Sequence, residues 1–96
     1  MICEQKIRKA LPHLSEREIW LIEVDYSMSE ATMARLGQRK DARDCAKMKK
    51  AIAKVQTWRS PRIRQLTPRE LEELDAVYKR IQRGTFAAPS RKGVRG

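Results

Sequence analysis

The stretch from Ala42 to Trp58 carries two surfaces that cannot both be buried. Wound as a helix at 100° per residue, Cys45, Met48, Ile52 and Val55 fall within an arc of about 80°. Extended back to Arg39, the same register gathers Arg39, Arg43, Lys47, Lys50 and Lys54 into a second arc of about 80°, pointing nearly the opposite way. Whatever fold the chain adopts must cover the first arc with apolar side chains and leave the second in water.

The cover is legible upstream. In "LSEREI", Ser15 precedes Glu18 by three residues, the spacing of a capping box, and Leu14 and Ile19 stand where a hydrophobic staple belongs. The helix that follows, "EREIWLIEVDYS", is apolar over most of its circumference through Ile19, Trp20, Leu21, Ile22, Val24 and Tyr26, so it is the expected core helix. Its remaining strip is acidic, with Glu16, Glu18, Glu23 and Asp25, and is expected to face solvent. "MSEATMARLG" repeats the grammar: Ser29 caps, Met28 and Met33 staple, and Gly37 ends a short helix in the left-handed conformation. After the loop "QRK", Asp41 is the expected N-cap of the helix from Ala42 to about Trp58.

Two more helices flank this trio. "CEQKIRKAL" places Cys3, Ile7, Ala10 and Leu11 on one face, and Pro12 ends it by forcing the preceding residue out of the α region. Beyond the break at Ser60 and Pro61, "TPRELEEL" has Thr67 as N-cap, Pro68 at the first helical position and Glu70 at the third. Leu71, Leu74, Val77, Tyr78 and Ile81 form its apolar seam, and Gly84 closes it. The expectation is an all-α fold: a small bundle of four to five helices in one domain, residues 1–83, with a C-terminal helix over 68–83. The remaining residues, 84–96, lack periodicity and are expected to form a flexible basic tail.

Charge narrows the partners. The chain has 96 residues and a net charge of +10, and residues 31–64 alone contribute +9 through eleven Lys or Arg against two acids. Residues 15–30 carry −4, so the excess is concentrated rather than diffuse. Such an imbalance calls for a polyanion: nucleic acid first, then an anionic membrane or an acidic protein. A solvated helical face mixes signs to form i,i+4 pairs, whereas the basic arc has no interleaved acid; Asp41 and Asp44 sit near the helix start, where the dipole favours them. "WRSPRIR" adds Arg59, Arg62 and Arg64, placed to hold a phosphate backbone or enter a minor groove. Trp58 is expected as a core-edge aromatic on the last helix, with stacking on a base or ribose as the alternative.

Other chemistries find no residues to carry them. One histidine, His13 after Pro12, excludes a Ser-His-Asp or Cys-His set and has no partner at metal-ligand spacing. Cys3 and Cys45 form no C-x-x-C pair, and no Gly-rich phosphate loop is present. No apolar run approaches the roughly 18 residues of a membrane span, and the charged start is no signal peptide. The expectation is a cytoplasmic protein with no enzymatic activity, cofactor or metal.

The order of long apolar helix, short helix ending in L-G, loop and basic-faced helix is helix-turn-helix grammar, over about residues 29–58. "LSEREIWLIEVDYSMSEATMARLG" followed by "KMKKAIAKV" also resembles sigma-factor region 4 and the related C-terminal half of phage antitermination proteins of the Q type. The shared features are L-S-x-R-E opening a core helix, the step Y-S-M-S, the A-R-L-G helix end and the K-x-x-x-A-x-A-K-V helix, covering about Leu14 to Val55. The chain departs from that pattern at Met33, where the family has a small residue, and in a turn after Gly37 one residue longer. The resemblance implies a DNA-binding transcription regulator, phage-borne and acting with RNA polymerase. It places Arg39, Lys40, Arg43, Asp44 and Lys47 at the groove-facing start of the reading helix, with Lys50 and Lys54 nearer the backbone. Pairing of two copies through the last helix would double the base pairs read. Two other classes fit the composition. One is a protein-binding modulator of a host enzyme such as RNA polymerase, docking through Glu16, Glu23 and Asp25 or the last helix. The other is an RNA-binding protein that uses the basic helix and tail without sequence readout.

Overall fold

The computed structural model describes residues 4–56, 58–59 and 61–83. Their order is α1 (Glu4–Ala10), a 3-10 turn (Leu11–His13), α2 (Glu16–Arg35), α3 (Arg39–Val55) and α4 (Pro68–Arg83), with no strand among the described residues. The all-α expectation holds. The readings made for Cys3, Gly84 and the tail 84–96 lie outside the described residues.

The start of α2 is built as its sequence predicts. The Glu18 backbone N–H donates to Ser15 Oγ at 3.2 Å, and the Ser15 N–H donates to Glu18 Oε1 at 2.9 Å. The break expected at Met28–Ser29 is absent: α2 runs unbroken for 20 residues. No Gly or Pro lies between Ser15 and Gly37, and serine costs little inside a helix. The Thr32 hydroxyl donates to the Met28 carbonyl at 2.9 Å, so the local polar group is satisfied without leaving the helix. The expected core helix and short second helix are therefore one rod, and the three-helix order read from the sequence becomes a two-helix hairpin.

Gly37 makes the turn. Its φ is +78°, its N–H donates to the Ala34 carbonyl at 3.1 Å, and the Gln38 N–H donates to the Met33 carbonyl at 2.8 Å. Those two bonds form a Schellman motif, which satisfies carbonyls that a helix end otherwise leaves open. α3 then begins at Arg39, three residues before the expected start. Gln38 occupies the N-cap without a side-chain bond, and Asp41 lies in the first turn instead of capping it. α3 ends at Val55, short of Trp58, where Gln56 turns extended.

Glu30 receives Lys49 Nζ at 2.8 Å, and Glu23 receives Gln56 Nε2 at 3.1 Å. Seven residues back along α2 correspond to seven residues forward along α3, so the helices are antiparallel and in heptad-like register. The core lies at one end of this hairpin. Ile19 to Ile22 and Val24 of α2 meet Met48 and Ile52 of α3, and Ile7, Ala10, Leu11, Leu14, Leu66, Leu74, Val77 and Ile81 close around them. α4 packs on α2, and α1 packs on α3 and α4, which explains why α2 needs apolar residues on so many sides. No residue from Asp25 to Lys47 is fully buried; Asp25 and Tyr26 still pack at the edge of the core, and the turns of the hairpin beyond them extend as an arm.

α4 starts as expected. The Thr67 N–H donates to Glu70 Oε1 at 2.9 Å, and the Glu70 N–H donates to Thr67 Oγ1 at 3.2 Å. Leu74, Val77 and Ile81 are buried and Tyr78 is half-buried, but Leu71 stands off the seam, 51% exposed.

Two substitutions separate core from turn. Ile52→Ala empties a fully buried site and should cost about 2–5 kcal/mol in urea unfolding. Gly37→Ala meets no atom within 4 Å but must adopt positive φ, and should cost about 1 kcal/mol in the same measurement.

Candidate nucleic-acid interface

Met48 and Ile52 are both fully buried, which fixes the rotation of α3 about its own axis. The opposite side is therefore presented outward, and Arg39, Lys40, Arg43, Lys47, Lys50 and Lys54 are all exposed. None of these six forms an ion pair with a carboxylate among the described residues. Lys49, which lies outside the basic arc, is the lysine of α3 that does pair, with Glu30. Arg39, Lys40, Arg43 and Lys47 stand on the arm, while Lys50 and Lys54 lie over the core. Asp41 and Asp44 fall on the other flank of α3, lining a depression with Glu4, Asp25, Tyr26 and Tyr78. The two signs of charge are thus separated across one helix.

The acidic strip of α2 is not a free surface. Glu18 accepts from Arg80 Nη1 at 2.6 Å, Glu23 accepts from Gln56, and Asp25 accepts from the Tyr78 hydroxyl at 2.7 Å. Glu23 and Asp25, expected as an exposed docking strip, are half-buried ties between helices, and Glu16 alone of the strip remains exposed without such a tie. Partial burial of Glu18 opposes its ionisation, but the Ser15 N–H and the Arg80 guanidinium outweigh it and hold the carboxyl below its ordinary range. Burial pushes the Tyr78 hydroxyl up, and the charge it faces at Asp25 pushes it further, so it stays protonated as the donor. Tyr26 is pushed up to about 12, chiefly by burial. Burial also raises the Cys45 thiol, with Glu30, Glu4, Asp25 and Asp41 adding to it, which disfavours the thiolate a nucleophile needs.

Between α3 and α4 the connecting segment carries the second basic element. Arg59 and Arg62 are exposed and form no ion pair among the described residues. Arg64 is committed elsewhere: its Nη1 and Nη2 bind Glu70 at 2.7 and 2.8 Å, its Nη1 also donates to the Gln65 carbonyl at 3.1 Å, and its Cζ sits 5.1 Å from the Trp20 ring centroid. The nearly buried Glu70 thus receives Arg64 and the Thr67 N–H together, with Arg17 at 3.8 Å. Trp58 is half-buried at the edge of the core, as a core-edge aromatic is expected to be, and it lines a cavity together with Trp20 of α2. The indole N–H groups of Trp20 and Trp58 are both buried without a hydrogen-bond partner, an arrangement that costs about 1–3 kcal/mol for each donor.

Sequence reasoning located the basic arc and missed what ties the helices together. Arg17–Glu73, Arg80–Glu18 and Tyr78–Asp25 each join residues more than fifty positions apart, and no local pattern marks such pairs. Among the described residues, no group of His, Cys, Asp or Glu is arranged to hold a metal ion, and no helix is long and apolar enough to cross a membrane. No family model, curated protein or solved structure matches the chain.

Glu70 sets an acid limit. The Arg64 bidentate bond, followed by the Thr67 N–H, lowers its carboxyl to about 2 from an ordinary 4.5. A carboxyl depressed in the folded state contributes fully above its unfolded value and loses that contribution as pH falls from about 4.5 to about 2. Melting temperature should therefore drop across that window. Glu70→Gln should melt lower than the parent at neutral pH and show a shallower fall through the window.

Proposed function

We propose that the chain is a small DNA-binding transcription regulator that lays the basic face of α3 on duplex DNA. The observation that carries this reading is the set of six cations on one side of α3, all exposed and none neutralised by a carboxylate among the described residues. A surface of this kind is costly to keep unless a polyanion uses it, because like charges on one face repel. One α-helix fits the major groove, which is roughly 12 Å wide. Arg39, Lys40, Arg43 and Lys47 on the arm would enter, with Arg39 or Arg43 giving the two-pronged contact to guanine. Lys50 and Lys54, nearer the core, would hold phosphates, and Arg59 and Arg62 would extend the backbone contact. Arg64, already bound to Glu70, would not be needed.

The role in transcription rests on the likeness of Leu14–Val55 to sigma-factor region 4 and the Q-type antitermination proteins. On that reading the regulator is phage-borne and acts with RNA polymerase, and the reading helix is the second limb of a hairpin rather than the third helix of a bundle. The competing docking surface on Glu23 and Asp25 is weakened by their internal bonds to Gln56 and Tyr78.

Arg43→Ala combined with Lys47→Ala removes two exposed cations and no buried contact, so circular dichroism should stay helical. Duplex binding in a gel shift should be lost at about 200 mM salt, and for the parent log K should fall against log salt with a slope near −5 if about six phosphates are contacted. Undiminished duplex binding by the double variant at that salt would remove α3 from the interface. A preference for single strands over duplex would move the assignment to RNA.

A further inference from the structure

The arm carries a second surface, on the other helix. Met28, Ser29, Thr32, Met33 and Leu36 recur along the outer half of α2 and fall within an arc of about 140°. None of the five is charged, in a chain whose residues are 35% charged. Leu36 is 63% exposed and Met28 39%, while Met33 and Ser29 are half-buried. The Thr32 hydroxyl already donates to the Met28 carbonyl, so the middle of the stripe asks for no polar partner. Glu23 and Glu30 bond to α3, and the helical register turns Met28, Thr32 and Leu36 away from that side. An apolar stripe of this kind, set among polar residues, marks a docking surface.

We propose that this stripe docks the same stripe of a second copy, the two α2 helices running antiparallel about Thr32. A two-fold pair brings one patch against itself, so the patch must complement its own reversal. This one does. Reversal about Thr32 sets Met28 against the second copy's Leu36 at both ends, large apolar side chain against large apolar side chain. The charges bordering the stripe reverse as well. At its core end lie the carboxylates of Glu4 and Asp25, in a depression that shares Ser29 and Met33 with the stripe. At its outer end Arg35, Arg39 and Lys40 are exposed around the turn. Antiparallel pairing lays the cationic tip of each arm beside the acidic base of the other, whereas parallel pairing would set tip against tip. α4, the helix expected to pair, spends Leu74, Val77 and Ile81 on its own core. The basic arc of α3 points away from α2, so pairing leaves both arcs open and does not depend on what they bind.

Sedimentation equilibrium of the full chain reads the pair directly. The interface is small, so dimer mass should appear with a dissociation constant on the order of 10–100 µM. Met28→Glu and Leu36→Lys each place a charge in the apolar contact and should each weaken pairing by roughly a hundredfold, with the helical circular dichroism kept. The two variants mixed in equal amounts should regain dimer mass, because the new glutamate then meets the new lysine while Leu36 and Met28 meet at the other end. That recovery distinguishes antiparallel self-pairing from any other occupant. A parent that stays monomeric up to about 1 mM overturns the proposal, as does a dimer untouched by either variant, or a mixture that stays monomeric. A monomeric parent that floats with phosphatidylglycerol vesicles, and loses that flotation in Leu36→Lys, would give the stripe to a lipid surface instead. Arg43→Ala with Lys47→Ala should leave the dimer mass unchanged. Dimer without duplex binding would sink the duplex reading and keep this interface; duplex binding by a monomer would do the reverse.

Discussion

Two side chains decide which way α3 faces. Met48 and Ile52 are withdrawn completely from water against α2, and each is worth about 1.5–3 kcal/mol in that position. Rotating α3 by one residue would turn its seam through 100° and carry charged neighbours toward the core. An unpaired ammonium buried there costs several kcal/mol, more than a misplaced methyl group ever returns. The basic arc is outside because every other rotation is worse, and the surface follows from the packing behind it.

The same logic sorts the acids. Carboxylates on α2 face neighbouring helices, where Arg80, Gln56 and Tyr78 meet them. Carboxylates on α4 meet Arg17 and Arg64. Most of these bonds are partly exposed, and their contribution to stability is small one by one. Their larger effect is on geometry, since they pin α4 across α2. They also remove negative charge from competition with whatever approaches α3. A chain with twelve acids keeps an uncompensated cationic face because many of those acids are already engaged elsewhere.

The local grammar of this chain was readable. Ser15 with Glu18, Thr67 with Glu70, and Gly37 each encode a structure closed within a few residues, and each appears as its sequence predicts. The opposed arcs of α3 were readable for the same reason, because helical periodicity is a local property. Ser29 misled because a serine that can cap a helix can also sit inside one, and the choice depends on whether anything nearby breaks the rod. Leu71 misled because periodicity gives a direction and does not say whether a neighbour is there to cover it. The cavity between Trp20 and Trp58 was beyond sequence reasoning: thirty-eight residues separate its two indoles, and only the path of the α3–α4 connection brings them together.

The absence of fully buried residues from Asp25 to Lys47 has a mechanical meaning. Stiffness in a helical pair comes from interlocked side chains, and here those are confined to the base. The outer turns are joined by half-buried contacts and the Lys49–Glu30 bond, so they can splay or bend at far lower free energy than the base can unfold. Four of the arm's cations therefore ride on a compliant cantilever clamped at one end, able to follow the curvature of a rigid surface without disturbing the clamp.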